Sequence, residues 1–138
     1  MARNVLAQID SFLAEPKRIF LIDGLGAFLT AFFLVAILTP FSASFGMPVN
    51  VLYILSAIAG LLMLYSLGCY FLPIRNWRSN VAAISLANLL YCLLTASLIV
   101  YYYSSLTILG ALYFTLEIST IMILVYYERQ LLSQRTGQ

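Results

Sequence analysis

The chain contains no histidine. That removes the usual haem ligand and proton shuttle, His-bearing zinc sites, and every Ser-His or Cys-His nucleophile pair. Thiol chemistry is nearly as scarce: Cys69 and Cys92 are the only cysteines, and they form no CxxC pair. Placed on neighbouring helices at ~1.5 Å per residue, they differ in depth by roughly 13 Å, too far for a disulfide. Both read as small packing residues. No metal or cofactor set is expected.

Charge is the third shortage. Only 9% of the 138 residues are Asp, Glu, Lys or Arg, while 63% are hydrophobic and the mean hydropathy is +0.99. A soluble domain carries about 25% charged residues, and so small a globule has too little interior to hide this much apolar surface. The sequence also lacks Gly/Ser-rich linkers, acidic tails and a clear internal repeat, which gives no support to an inverted-repeat transporter core. Gly24-Leu25-Gly26 resembles the start of a phosphate loop, but the third glycine of GxGxxG would fall at Leu29 and no strand precedes it.

What remains is apolar helix. Runs over about 17–38, 49–72, 79–102 and 105–128 are each long enough, at ~1.5 Å per residue, to cross a hydrocarbon core of ~30 Å. Backbone groups in lipid must be satisfied within the segment, and these runs lack the alternation of barrel strands. The expected fold is therefore all-α: a polytopic four-transmembrane-helix bundle forming a single domain over 1–138.

Every basic residue falls on one side of such a bundle. Arg3, Lys17 and Arg18 precede the first run, Arg75 and Arg78 separate the second and third, and Arg129 and Arg135 follow the fourth. The connections at 39–48 and 101–104 carry no charge. The positive-inside rule then puts both termini in the cytoplasm of a multi-pass protein of the cell (plasma or inner) membrane. Tyr101, Tyr102 and Tyr103 suit the outer interface, and Trp77, Tyr126 and Tyr127 the inner one. The net charge of +2 comes from these flanks and forms no stripe, which argues against nucleic acid.

The N-terminus does not read as a cleavable signal. Val5, Leu6, Ile9, Phe12 and Leu13 recur at helical spacing opposite Asn4, Gln8, Asp10, Ser11 and Glu15, which predicts a short amphipathic helix lying on the cytoplasmic membrane surface. Pro16 suits the first turn of the following helix. Small residues four apart (Ala27 and Ala31, Ser56 and Gly60, Ala83 and Ala87) predict close helix approach, within the monomer or between protomers.

Two acids interrupt the apolar runs. Asp23 lies about 7 Å past Arg18, where Lys17, Arg18, Arg75 or Arg78 can reach it, so a rim ion pair is one expectation. Glu117 lies about 16 Å from the Glu128 end of its run, near the bilayer centre, with no base in reach. Desolvation there favours the neutral acid, donating one hydrogen bond and accepting others. Gly110, Tyr113, Glu117 and Thr120 share one helical face; Ser85, Asn88, Cys92 and Thr95 form a polar stripe on the third run; Asp23, Ala27 and Thr30 form another on the first. Such faces turn inward, either as glue between helices or as a site. The candidate ligand- or proton-binding residues are Glu117, Asp23, Asn88, Tyr113, Tyr91, Tyr65 and Thr120.

The expected function is that of a non-enzymatic ligand-binding or complex-forming membrane module with a protonated carboxyl in its interior. Its partners would be the lipid bilayer, a lipophilic or cationic small molecule, and further copies or a larger membrane complex. A proton- or cation-coupled small transporter is the alternative, with Asp23 relaying to Glu117 through a water or hydroxyl. An intramembrane enzyme using Asp/Glu acid–base chemistry on a lipid-like substrate is the third reading.

Overall fold

A computed structural model describes residues 2–13, 16–72 and 76–136, and only the backbone of residues 9–13, 16 and 134–136. Those residues form helices, with no strand among them. The elements are α1 (Ala2–Leu13), α2 (Pro16–Phe33), α3 (Ser42–Phe45), α4 (Val49–Phe71), α5 (Trp77–Tyr101) and α6 (Ile108–Thr136). Four helical stretches are long and apolar enough to cross a membrane: Lys17–Leu38, Val49–Phe71, Trp77–Tyr101 and Ile108–Ser133. In α1, Val5 and Leu6 are exposed. The rest of its expected apolar face, and Glu15, lie outside the described side chains.

Local chemistry sets the boundaries. α2 does not stop at Phe33 but widens into a π-helical turn, Leu34–Leu38. There the Thr39 N–H donates to Leu34 O at 3.0 Å and Thr39 Oγ1 donates to the same carbonyl at 2.8 Å. Pro40 follows and cannot donate to continue the helix. α5 starts two residues before the sequence-based boundary because Asn76 Oδ1 accepts from Ser79 N at 3.3 Å as an N-cap. α6 starts three residues late because Thr107 takes the cap position, its Oγ1 accepting from Gly110 N at 3.1 Å. It also runs well past 128.

The helices pack as two broad pairs, α2 on α4 and α5 on α6, joined along the α4–α5 seam. Within the first pair, Ser56 Oγ donates to Ala31 O at 3.3 Å, so the small residues on these two helices do meet. Gly60, on the same helix as Ser56, faces open space. α2 and α6 touch little, which leaves a gap on that side.

At one end, α3 lies over the start of α6. Thr107 Oγ1 donates to Ser44 O at 2.6 Å, and Ser105 Oγ donates to Gly46 O at 3.2 Å. Gly46 has φ 79°, the left-handed conformation that closes α3. A Cβ on Gly110 would strike the Phe45 carbonyl, so only glycine allows this approach. Leu34, Leu38, Phe45, Met47, Leu52, Leu55, Tyr91 and Phe114 fill the core at this end. Ile19, Phe20, Cys69, Val81, Ile84 and Leu131 form a second apolar layer toward the opposite end. There Arg78 Nη2 donates to Leu132 O at 2.9 Å, tying α5 to α6.

Between the two apolar layers the interior is polar. Asp23, Ser66, Ser85, Asn88, Thr95, Glu117 and Glu128 are buried. Leu61, Leu64, Leu90, Leu93, Leu116 and Ile123 are exposed, each by more than half. The usual arrangement of a water-soluble globule is inverted.

Candidate functional site

The buried polar residues follow from register. On α5 the buried positions are Val81, Ile84, Ser85, Asn88, Tyr91, Cys92 and Thr95, a 3–4 spacing that keeps one face inward. On α6 the inward stripe includes Gly110, Phe114, Glu117, Val125, Glu128 and Leu131. Glu117 and Glu128 are eleven residues apart, about three turns, and therefore project from the same face.

They belong to two layers. Tyr91 donates from its hydroxyl to Glu117 Oε1 at 2.6 Å. Tyr113 stands beside the same carboxyl as a second hydroxyl partner, and Glu117 Oε2 is buried. One layer nearer the basic end, Ser66 Oγ donates to Asp23 Oδ2 at 2.5 Å and Asn88 Nδ2 donates to Asp23 Oδ1 at 2.6 Å. Both Asp23 oxygens are thus met by neutral groups from α4 and α5. The same Asn88 nitrogen lies 3.5 Å from Glu128 Oε1. Asn88 therefore bridges two carboxyls, one from α2 and one from α6.

Both layers border one cavity of about 700 Å³. Asp23, Asn88, Tyr91, Tyr113, Glu117 and Thr120 supply most of its polar wall, and the rest is chiefly Leu, Phe and Ile from α2 and α6. No described basic side chain lines it. It opens along the α2–α6 gap, where Leu29, Leu109, Leu112 and Leu116 combine cavity contact with exposed surface. Volume and lining match a site for one medium-sized lipophilic molecule.

Six of the seven residues singled out in the sequence line this space. Within that group Thr120 donates to Leu116 O at 2.8 Å on its own helix, and so satisfies its hydroxyl locally. Tyr65 lies elsewhere: it is exposed and donates to Asn80 Oδ1 at 2.7 Å. Its depth is similar, but it precedes Ser66 by one residue and so sits about 100° round the helix from the inward stripe. Arg75, one of the bases considered for Asp23, lies outside the described residues. Glu128 is the residue sequence reasoning missed. Treated as the end of a span, it is fully buried here, and the eleven-residue spacing from Glu117 was the available signal. Cys69 and Cys92 are buried free thiols.

Comparisons with protein-family models, with curated proteins and with solved structures gave no match.

Proposed function

We propose that this chain is an integral membrane protein, with both termini cytoplasmic, that binds an amphipathic molecule bearing a cationic amine and takes it up sideways from the bilayer. The observation that carries this reading is the Glu117 carboxyl. It lines the cavity with Tyr91 donating to one oxygen, Tyr113 beside the carboxyl, and no described basic side chain in the wall. An ammonium group would give the carboxyl the charge partner that the cavity wall lacks, in a low-dielectric setting where the interaction is strong. The apolar walls suit the remainder of such a ligand, and the α2–α6 opening faces the side where lipid would lie. Apolar exterior, polar interior and one-sided basic residues support the membrane placement.

The test uses one hydrocarbon cage with three head groups: 1-adamantylamine, 1-adamantanol and 1-adamantanecarboxylate. With the protein in lipid nanodiscs, the amine is expected to raise Tm saturably, and the alcohol and acid to do so far less. Glu117→Gln, which keeps the shape, is expected to lose the amine-specific shift. Equal stabilisation by amine and alcohol, or an undiminished shift in the variant, would overturn the assignment.

Coupled transport is a second reading, favoured by the fact that one cavity reaches acids at two depths, Glu117 and Asp23. Amine uptake into proteoliposomes that responds to an ion gradient would support it. Binding without any uptake would leave a binding module.

A further inference from the structure

The cavity is elongated along the helices that border it. Its wall runs from Asp23 to Leu38 on α2 and from Leu109 to Leu124 on α6. Each stretch advances fifteen residues, about 22 Å at ~1.5 Å per residue. Two apolar rails edge the opening. Leu29, Phe33 and Ile37 on α2, and Leu109, Leu112 and Leu116 on α6, all line the cavity and are each more than one-third exposed. Steps of three or four residues keep each set on one face of its helix. The opening is therefore a slit that follows the helix axes. Membrane helices tilt by about 20° on average, so in a bilayer such a slit lies nearly parallel to the lipid tails.

The two halves of the cavity differ in chemistry. From Glu117 toward the basic end the wall carries Thr120, Asn88 and Asp23, and Asp23 is already met by Ser66 and Asn88. Toward the uncharged end the wall is apolar, with Leu38 and, from α3, Phe45 joining the rails. Tyr113 turns its hydroxyl to Glu117. A head group fixed at Glu117 thus has an apolar slot of about 12 Å between it and Leu109, eight residues away. An extended chain advances ~1.2 Å per bond, so about ten carbons span that slot.

We infer that the amine held by this cavity is a single-chain amphiphile. Its ammonium group rests on Glu117, and its one unbranched hydrocarbon tail lies lengthwise in the α2–α6 slit, pointing toward α3 and the uncharged end. The inference rests on the amine reading and adds to it the shape of the ligand and the direction of its tail. Lipid is as apolar as the rails, so the tail gains packing and not desolvation, and the slit selects by shape. A straight chain touches both rails along its length and lies against lipid on its open side.

The probe that tests this is n-decylamine with a photoreactive diazirine on its last carbon, bound to the full chain in nanodiscs. After illumination and peptide mapping, adducts are expected within 33–38 and 109–112, and excess unlabelled n-decylamine is expected to remove them. Adducts centred on 23–27 and 120–124 would reverse the tail and overturn the assignment, as would labelling that excess amine does not displace. Leu109→Trp obstructs the far end of the slit and is expected to raise the half-saturating mole fraction of n-decylamine in the bilayer by roughly fivefold or more, read from Tm. The same variant is expected to keep the wild-type response to 1-adamantylamine, because a compact cage at Glu117 does not extend to Leu109. Equal weakening of both amines, or of neither, overturns the placement of the tail. If the variant fails to fold, the adduct map of the wild type decides alone. A Glu117-dependent shift with 1-adamantylamine but no displaceable tail labelling removes this inference and keeps the amine assignment. Absence of that shift in the wild type removes both.

Discussion

Tyr91 and Glu117 meet across the α5–α6 interface at 2.6 Å, and their contact is the most direct link between packing and site chemistry. Replacing either partner leaves the other buried with an unmatched polar atom, so single substitutions overstate the bond. A double-mutant cycle with Tyr91→Phe and Glu117→Leu, read from unfolding in mixed micelles, isolates the coupling. Interhelical hydrogen bonds in membranes give about 0.6 kcal/mol on average and up to about 1.7. This short bond to a carboxyl is expected near the upper figure. A coupling near zero would mean that Tyr91 does not hold Glu117 toward the cavity. At this scale much was legible from sequence. A mid-run Glu with a polar stripe on the preceding helix points Glu117 and Asn88 inward, because polar groups in apolar runs have few places to go, and both are buried. Tyr65 and Glu128 show the limit. Depth alone brought in Tyr65, and its one-residue offset from Ser66 turns it outward. Glu128 reads as a boundary because the apolar run ends there, whereas the helix continues for another two turns.

At the scale of elements, apolar run length located all four long helices, but it did not locate their caps. Thr107 and Asn76 set the starts of α6 and α5 through single side-chain acceptors, and the π-turn at Leu34–Leu38 arises where Thr39 competes for one carbonyl before Pro40. None of these changes hydropathy, so none appears in an apolar window. The glycines divide along the same line. Gly110 is in close contact with the Phe45 carbonyl, whereas Gly60 has nothing near the place where a Cβ would stand. Gly110→Val is therefore expected to force α3 from α6 and destabilise by about 1–3 kcal/mol, as overpacking does. Gly60→Ala, in the middle of α4, is expected to stabilise by roughly 0.5–1 kcal/mol through reduced chain entropy. Both are measured by unfolding in the same micelles. Destabilisation by Gly60→Ala would show that this face of α4 is covered by another copy of the chain, the other role open to its small residues.

At the scale of the whole molecule, the helix pairing explains both the cavity and its opening. α2 packs on α4 and α5 packs on α6, so the contacts that close the α4–α5 seam leave the α2–α6 side apart. Apolar residues from α2 and α6 then line an entrance on the lateral surface, while the polar layers lie behind it. An opening of this kind serves a lipophilic ligand only if lipid lies against it, so the cavity reading depends on insertion in the membrane. Residues at opposite ends of the bundle test that insertion and its direction. Tyr103 and Ser133 are both exposed, the first in the uncharged connection before α6 and the second near the basic end of α6. The native thiols are buried and contribute little background. A membrane-impermeant maleimide is expected to label Tyr103→Cys in intact cells and Ser133→Cys only after permeabilisation. If both label in intact cells, the chain inserts in both directions. The basic residues then cannot be setting its topology, and the apolar layer at their end no longer faces one compartment. A single orientation instead puts that layer between the cytoplasm and the buried Asp23, Asn88 and Glu128, so that the polar interior meets the cavity and not the cytoplasm.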